Sequence, residues 1–230
     1  MANGPTISSP CNSKLGDKIH SWSIAVNPWT CPGATPTCRR LCYAQNGLFL
    51  MPSVLRCHQT NAAFARTPEF KSWMIRELRA LEVKVLRLHV AGDFFDVDYV
   101  WKWQEIVAAL PRITFFYYTR SWRLYSMRRP LVDLGNMENV RSWWSMDRHT
   151  PEVNGLDRNS RIRTAYLAAD DKDAAAAPDC DLVFRNDRTI PMKKANGVLV
   201  CPAENGVHGL VPHTCSSCKL CWRRENDRRT

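Results

Sequence analysis

Three cysteines close the chain at a fixed step, Cys215-Ser-Ser-Cys218-Lys-Leu-Cys221, and Cys201 opens a Cys-Pro turn just upstream. A CxxCxxC run lets one coil of backbone carry three thiolates to a single small inorganic body. Iron–sulfur clusters are commonly held by such spacing, with a more distant fourth cysteine beside proline. A second set, Cys31, Cys38 and Cys42, sits near the N-terminus in CPGATPTCRRLCYA. The expectation is one or two [4Fe–4S] clusters. Zinc is the competing metal, through Cys201, Cys215, Cys218 and Cys221 or with His208 or His213 recruited. Cys57 or His58 could complete the N-terminal set. Cys11 and Cys180 read as ordinary thiols.

The elements that must position these groups follow from periodicity. Thr67-Pro68 opens a helix whose stripe is Phe70, Trp73, Met74, Leu78 and Leu81, since Pro fits a first turn and apolar residues recur every three or four positions. A second helix follows Asp96 or Asp98 and stops at Pro111. Strands are expected over residues 85–91, 113–119 and 140–146, with weaker ones over 23–26, 164–168, 182–185 and 198–200. Strands alternating with helices give parallel βαβ units, in an open sheet or a partial barrel. Over residues 85–91, Leu86, Leu88 and Val90 share one face while Arg87 and His89 share the other. An open parallel sheet would be apolar on both faces, so Arg87 and His89 are expected to face a polar interior.

Chemistry in such folds gathers beyond the carboxyl ends of the strands. Those ends carry Asn27 before the first cysteine loop, then Gly92-Asp93, then Thr119-Arg120, then Ser145-Met146-Asp147. Asp93, Thr119, Arg120, Ser145 and Asp147 are the candidate catalytic residues. Arg120 suits an anionic substrate group, because guanidinium binds carboxylate or phosphate bidentately. Asn27, Gly92 and Asp93 are the candidate cofactor-binding residues.

The 230 residues carry a formal net charge of +10, from 32 Lys and Arg against 22 Asp and Glu. That excess favours polyanionic partners, so nucleic acid is a candidate partner beside a small anionic substrate or an electron donor. The basic residues concentrate around Arg123, Arg128 and Arg129 and in the C-terminal tail. No apolar run approaches the roughly 18–20 residues that span a bilayer, and no secretory signal opens the chain. A cytoplasmic location without membrane contact is expected, where clustered cysteines bind metal more often than they form disulfides.

A cysteine loop after the first strand, followed by a Gly-acidic step after the second, resembles the radical S-adenosylmethionine enzymes. That likeness implies a modified (β/α) barrel and three cysteines leaving one iron of a [4Fe–4S] cluster open. Here the spacing is Cys31-x6-Cys38-x3-Cys42, wider than the family's CxxxCxxC, and it leaves S-adenosylmethionine binding open. A resemblance over most of the chain rests on CPGATPTCRRLCYA, RLHVAGDFFDVDYVWKWQ, FFYYTRS and CPAENGVHGLVPHTCSSCKLCW. These phrases are similar to the phage family called gene product 88, which implies a viral origin, a bacterial host's cytoplasm and a cysteine-rich architecture.

The expected organisation is an α/β, barrel-like domain over residues 1–195, followed by a cysteine-rich cluster-binding segment over 196–230. The expected function is iron–sulfur binding, with redox or radical chemistry on a small anion. The alternative is a nucleic-acid-binding protein with structural metal sites.

Overall fold

The computed structural model describes residues 4–10, 14–150, 161–205 and 214–223. Six strands form one sheet: β1 His20–Trp22, β2 Val85–Leu88, β3 Thr114–Thr119, β4 Val140–Met146, β5 Arg163–Ala168 and β6 Leu182–Arg185. They lie in sequence order and every neighbouring pair is parallel. The order runs from β1 to β6 without those two pairing, so the sheet is open rather than a closed barrel. A two-stranded antiparallel ribbon, β7 Lys194–Ala195 and β8 Val198–Leu199, follows.

The helices are α1 Pro36–Arg40, α2 Pro52–Phe64, α3 Phe70–Ala80, α4 Val97–Ala109, α5 Tyr125–Gly135, α6 Asp171–Ala175 and α7 Cys215–Cys218. Asp96 caps α4, its carboxylate accepting from the Tyr99 amide at 2.8 Å, which satisfies a donor that the first turn leaves free. Phe70, Met74 and Leu78 of α3, Tyr99, Trp103 and Ile106 of α4, and Leu131 and Leu134 of α5 share one core with Leu86, Leu88, Phe115, Tyr117 and Trp144 of the sheet.

Strand alternation sends the other residues to the opposite face. Val85 and Phe116 pack there with Leu15, Ile19, Cys215 and Trp222, and Trp143, Ala165 and Leu182 with Cys201, Leu220 and Cys221. A strand order that always advances the same way, with right-handed crossovers, leaves the helices on one side. The chain's two ends cover the other.

Arg87 does lie on the face opposite Leu86 and Leu88, but that face is covered by the chain's ends and is no polar interior: its guanidinium lies 5.0 Å from the Tyr118 ring centroid and 5.6 Å from that of Phe116. His89 does not share that face. A positive φ of 57° breaks the alternation and turns its ring to the helix side, with Nε2 3.0 Å from the Tyr99 hydroxyl. The first strand also lies earlier than expected, at His20–Trp22 rather than over 23–26.

Candidate metal centre

The C-terminal site begins at the sheet edge. A parallel bridge joins Val200 to Val183, and the Cys201 amide donates to the Val183 carbonyl at 2.8 Å. Cys201 is thereby fixed beside β6. The remaining three cysteines come from α7 and the turn after it. Thr214 caps α7, and the helical turn carries Cys215 and Cys218. Lys219 then takes a left-handed φ of 60°, which ends the helix and returns the chain so that Cys221 comes back to the sheet.

Residues near the N-terminus clamp this turn. The Cys215 and Ser216 amides donate to the Lys14 and Leu15 carbonyls at 2.8 and 2.9 Å. Gly16, at a φ of 86°, leaves room for Ser216, whose Oγ would stand 2.8 Å from an added Cβ. Trp143 Nε1 holds the Cys221 carbonyl at 3.0 Å, and Trp222 Nε1 holds that of Cys215 at 3.0 Å.

Together Cys201, Cys215, Cys218 and Cys221 line one partly open pocket, with Leu220 and Trp222 among its apolar walls. Burial pushes the Cys221 thiol up to about 11 even though Tyr118 hydrogen-bonds to it and Arg87 stands near. Burial raises Cys201 and Cys215 too, with Arg87 and Lys14 opposing the rise at Cys215. Lys14 is paired with Glu204 at 2.7 Å. His208 and His213, the alternative zinc ligands, lie outside the described residues, as does Cys11.

The N-terminal site is built on the loop after β1. Asn27 turns the loop by accepting from the Trp29 and Thr30 amides at 2.9 and 3.0 Å, while its carbonyl accepts from the Cys31 amide at 3.0 Å. Asn27 therefore shapes the cysteine loop. Thr35 caps α1, accepting from the Cys38 amide at 3.0 Å, and its hydroxyl donates to Asp147 Oδ2. Gly33 presses on the chain after β3; a Cβ there would lie 2.2 Å from the Arg120 carbonyl oxygen.

Asp93 ties the strand ends together. Its carboxylate accepts from Thr119 Oγ1 at 2.6 Å, the Arg120 amide at 2.8 Å and the Phe94 amide at 2.7 Å, and its own amide donates to the Thr30 carbonyl at 2.9 Å. Burial raises the pKa of Asp93 against the pull of those donors. Gly92, at a φ of 83°, fits against Ile24, whose Cγ1 would be 2.2 Å from a Cβ.

Arg120 Nη1 stands 2.8 Å from Asp147 Oδ2, with both side chains buried. The contact is an ion pair by distance, although that N–H is not aligned as a hydrogen bond. Nη2 donates to the Met146 carbonyl at 3.3 Å. Ser145 contributes its carbonyl, which accepts from Trp122 Nε1 at 3.1 Å.

Burial pushes the Cys31 thiol up to about 12, with Asp93, Cys38 and Cys42 adding to the rise. Burial likewise raises Cys38, and the Arg120 charge opposes it. The charge of Asp93 thus reaches both Cys31 and Cys38, and those of Arg120 and Asp147 reach Cys38. Cys57 instead interacts with Thr6, and the His58 ring lies 6.1 Å from that of Phe49.

Every described cysteine is a free thiol. Among the described residues no three His, Cys, Asp or Glu side chains are arranged to hold a single metal ion, and no helix is long and apolar enough to cross a membrane. Sequence reasoning missed Tyr118, Trp143 and Lys14 at the C-terminal site. The signal for Tyr118 lay in strand parity, because it shares its face of β3 with Phe116.

The family model described as Gene product 88 matches residues 3–224 of this chain. The Gene 88 protein of Mycobacterium phage L5 is 26% identical over 218 residues, covering 87% of this chain and 80% of that relative. No solved structure matches.

Proposed function

This chain belongs to the gene product 88 family of phage proteins, and we propose that it is an iron–sulfur protein with one [4Fe–4S] cluster at each cysteine set. The observation that carries this reading is the lining of one pocket by Cys201, Cys215, Cys218 and Cys221. One thiol from the sheet edge, Cys201, and three from the turn at residues 215–221 meet there against an apolar wall. Thiolates around one zinc at about 2.3 Å crowd within about 4 Å of one another. The CxxCxxC step with a more distant Cys-Pro is what favours the cluster over zinc at this set.

The two sites support different roles. The C-terminal set offers four cysteines and suits a structural or electron-relay centre. The N-terminal set offers three, Cys31, Cys38 and Cys42, and would leave a coordination position open. A cluster so held supplies electrons one at a time and a Lewis-acidic iron. Asp93, Thr119, Arg120, Ser145 and Asp147 stand at the adjoining strand ends. Asp93 and the Arg120–Asp147 pair hold the loop in place, through Thr30, Thr35 and Gly33. A redox or radical-S-adenosylmethionine-like reaction at that open position is the activity this reading supports; Arg120, expected to bind an anionic substrate group, is instead engaged by Asp147.

Anaerobic purification or reconstitution should yield a brown protein with about eight irons per chain and matching sulfide. Cys42→Ala should lose one cluster's iron and Cys218→Ala the other's. A colourless, zinc-loaded chain sinks the proposal. The net charge of +10 favours a second reading, nucleic-acid binding with structural metal sites. It requires affinity for DNA or RNA that falls steeply with salt.

A further inference from the structure

We propose that the surface following the first cysteine set docks a small acidic electron-transfer protein. The choice of an electron carrier rests on the cluster reading above; the docking surface itself does not. Two independent features converge there. First, residues 18–68 contain no Asp or Glu but five cations. Arg66 lies 3.8 Å from Asp96, while Arg39, Arg40 and Arg56 are exposed.

Second, large apolar side chains are exposed in the same stretch. Leu48 is 76% exposed and Leu50 52%, and Tyr43, Met51 and Leu55 are exposed beside them. They come from two 3₁₀ turns, Tyr43–Gln45 and Gly47–Leu50, and the start of α2. The Tyr43 and Phe49 rings meet at 5.6 Å, and the Leu55 amide holds the Met51 carbonyl at 2.9 Å. Isolated exposed apolar residues are ordinary, but a contiguous group rimmed by charge marks an interaction site.

An apolar centre with a charged rim is the anatomy of a protein–protein interface. Electron-transfer encounters sit at the small end of interface size, which suits five apolar residues and three arginines. Of the five apolar residues only Tyr43 is aromatic, and its hydroxyl donates to the Val90 carbonyl, so bases meet a single anchored ring where nucleic-acid channels use successive aromatic platforms. A second copy related by a two-fold axis would set the same arginines against each other. An acidic protein answers both features, since complementary charge steers its approach. Cys42 directly precedes Tyr43, so a partner seated here lies beside the N-terminal thiolates.

The test uses the full chain and a labelled, acidic plant-type [2Fe–2S] ferredoxin, with binding read by fluorescence anisotropy at low and high salt. Expected is saturable binding that weakens at least tenfold with salt, with Arg39→Ala/Arg40→Ala, and with Leu48→Glu/Leu50→Glu. These positions are exposed, and an unchanged Tm verifies folding. No binding, or binding that either double variant leaves intact, overturns the proposal. Self-association lost in the Leu48→Glu/Leu50→Glu variant would assign the surface to a second copy instead. Single-stranded DNA binding lost only with the arginines would assign it to nucleic acid. Iron and sulfide assays on the same samples read the cluster separately. An iron-loaded chain that does not dock refutes only the docking; an iron-free chain that docks refutes only the cluster.

Discussion

The Tyr118 hydroxyl donates to Cys221 Sγ across 2.7 Å, while Arg87 on the neighbouring strand stacks on the same tyrosine ring. A hydrogen bond and a cation thus both face one thiol of the C-terminal set. Net charge and hydrogen bonds to sulfur set a cluster's potential, because reduction adds negative charge to it. Tyr118→Phe should keep its iron and lower that centre's midpoint. The expected change is about tenfold in the reduction equilibrium, or about 59 mV for one electron. Redox titration followed by spin resonance measures it. An unmoved midpoint in an iron-loaded variant removes Tyr118 from this role.

Arg120 and Asp147 form a buried pair that also anchors Thr35. Removing one member leaves the other charged and uncompensated, at a cost of about 3–5 kcal/mol. Asp147→Leu alone should therefore destabilise severely, and Arg120→Met with Asp147→Leu should recover most of the loss. Urea unfolding of the two singles and the double completes the cycle. Additive losses would show that the pair is not coupled.

Much of this frame was legible in the chain. β4, central in the sheet, falls where its aromatic run placed it, and β6, a weaker candidate that forms the last strand, also falls where it was expected. Helix α2 was not legible. Its buried residue is Asn61, which binds the Thr6 amide and the Thr6 and Ser23 carbonyls, so no apolar stripe announced it. Helix α5 was hidden by its interior Pro130. The cysteines themselves could be grouped by spacing. Arg87 was legible as lying on the face opposite Leu86 and Leu88, but its closeness to Cys215 and Cys221 depends on how the C-terminal segment folds over the sheet, which local sequence does not encode. The roles of Asp93 and Arg120 were readable only as polar groups at strand ends; their partners are set by register across β2, β3 and β4.

Gly33 has no space for a side chain, since an added Cβ would meet the Arg120 carbonyl oxygen at 2.2 Å and its carbon at 2.4 Å. Both are backbone atoms at the end of β3, so the cysteine loop would have to lift. Gly33→Ala should cost about 1–3 kcal/mol, as overpacking does. Under the two-cluster reading it should also strip iron from the N-terminal site while sparing the C-terminal one. Iron per chain and Tm of the variant test both parts. Wild-type values for both would mean that the loop tolerates displacement.

His89 makes stability depend on acid. Trp22 Nε1 donates to the Tyr99 hydroxyl at 2.9 Å, which leaves that hydroxyl's proton for His89 Nε2 at 3.0 Å, so the imidazole is held neutral. Burial, then the nearby Arg87 charge, presses its pKa down to about 3. An unfolded chain takes up this proton near pH 6.5, whereas the native state refuses it. Native stability must then fall as pH drops from about 6.5 towards 3, by at most about 1.4 kcal/mol per unit. His20 and His58, also lowered by burial, act in the same direction, so the test is a difference. His89→Asn keeps a residue that tolerates the left-handed backbone. It should start less stable at pH 7 yet lose clearly less stability than wild type between pH 7 and pH 5. Equal losses in paired urea titrations would place the acid sensitivity elsewhere.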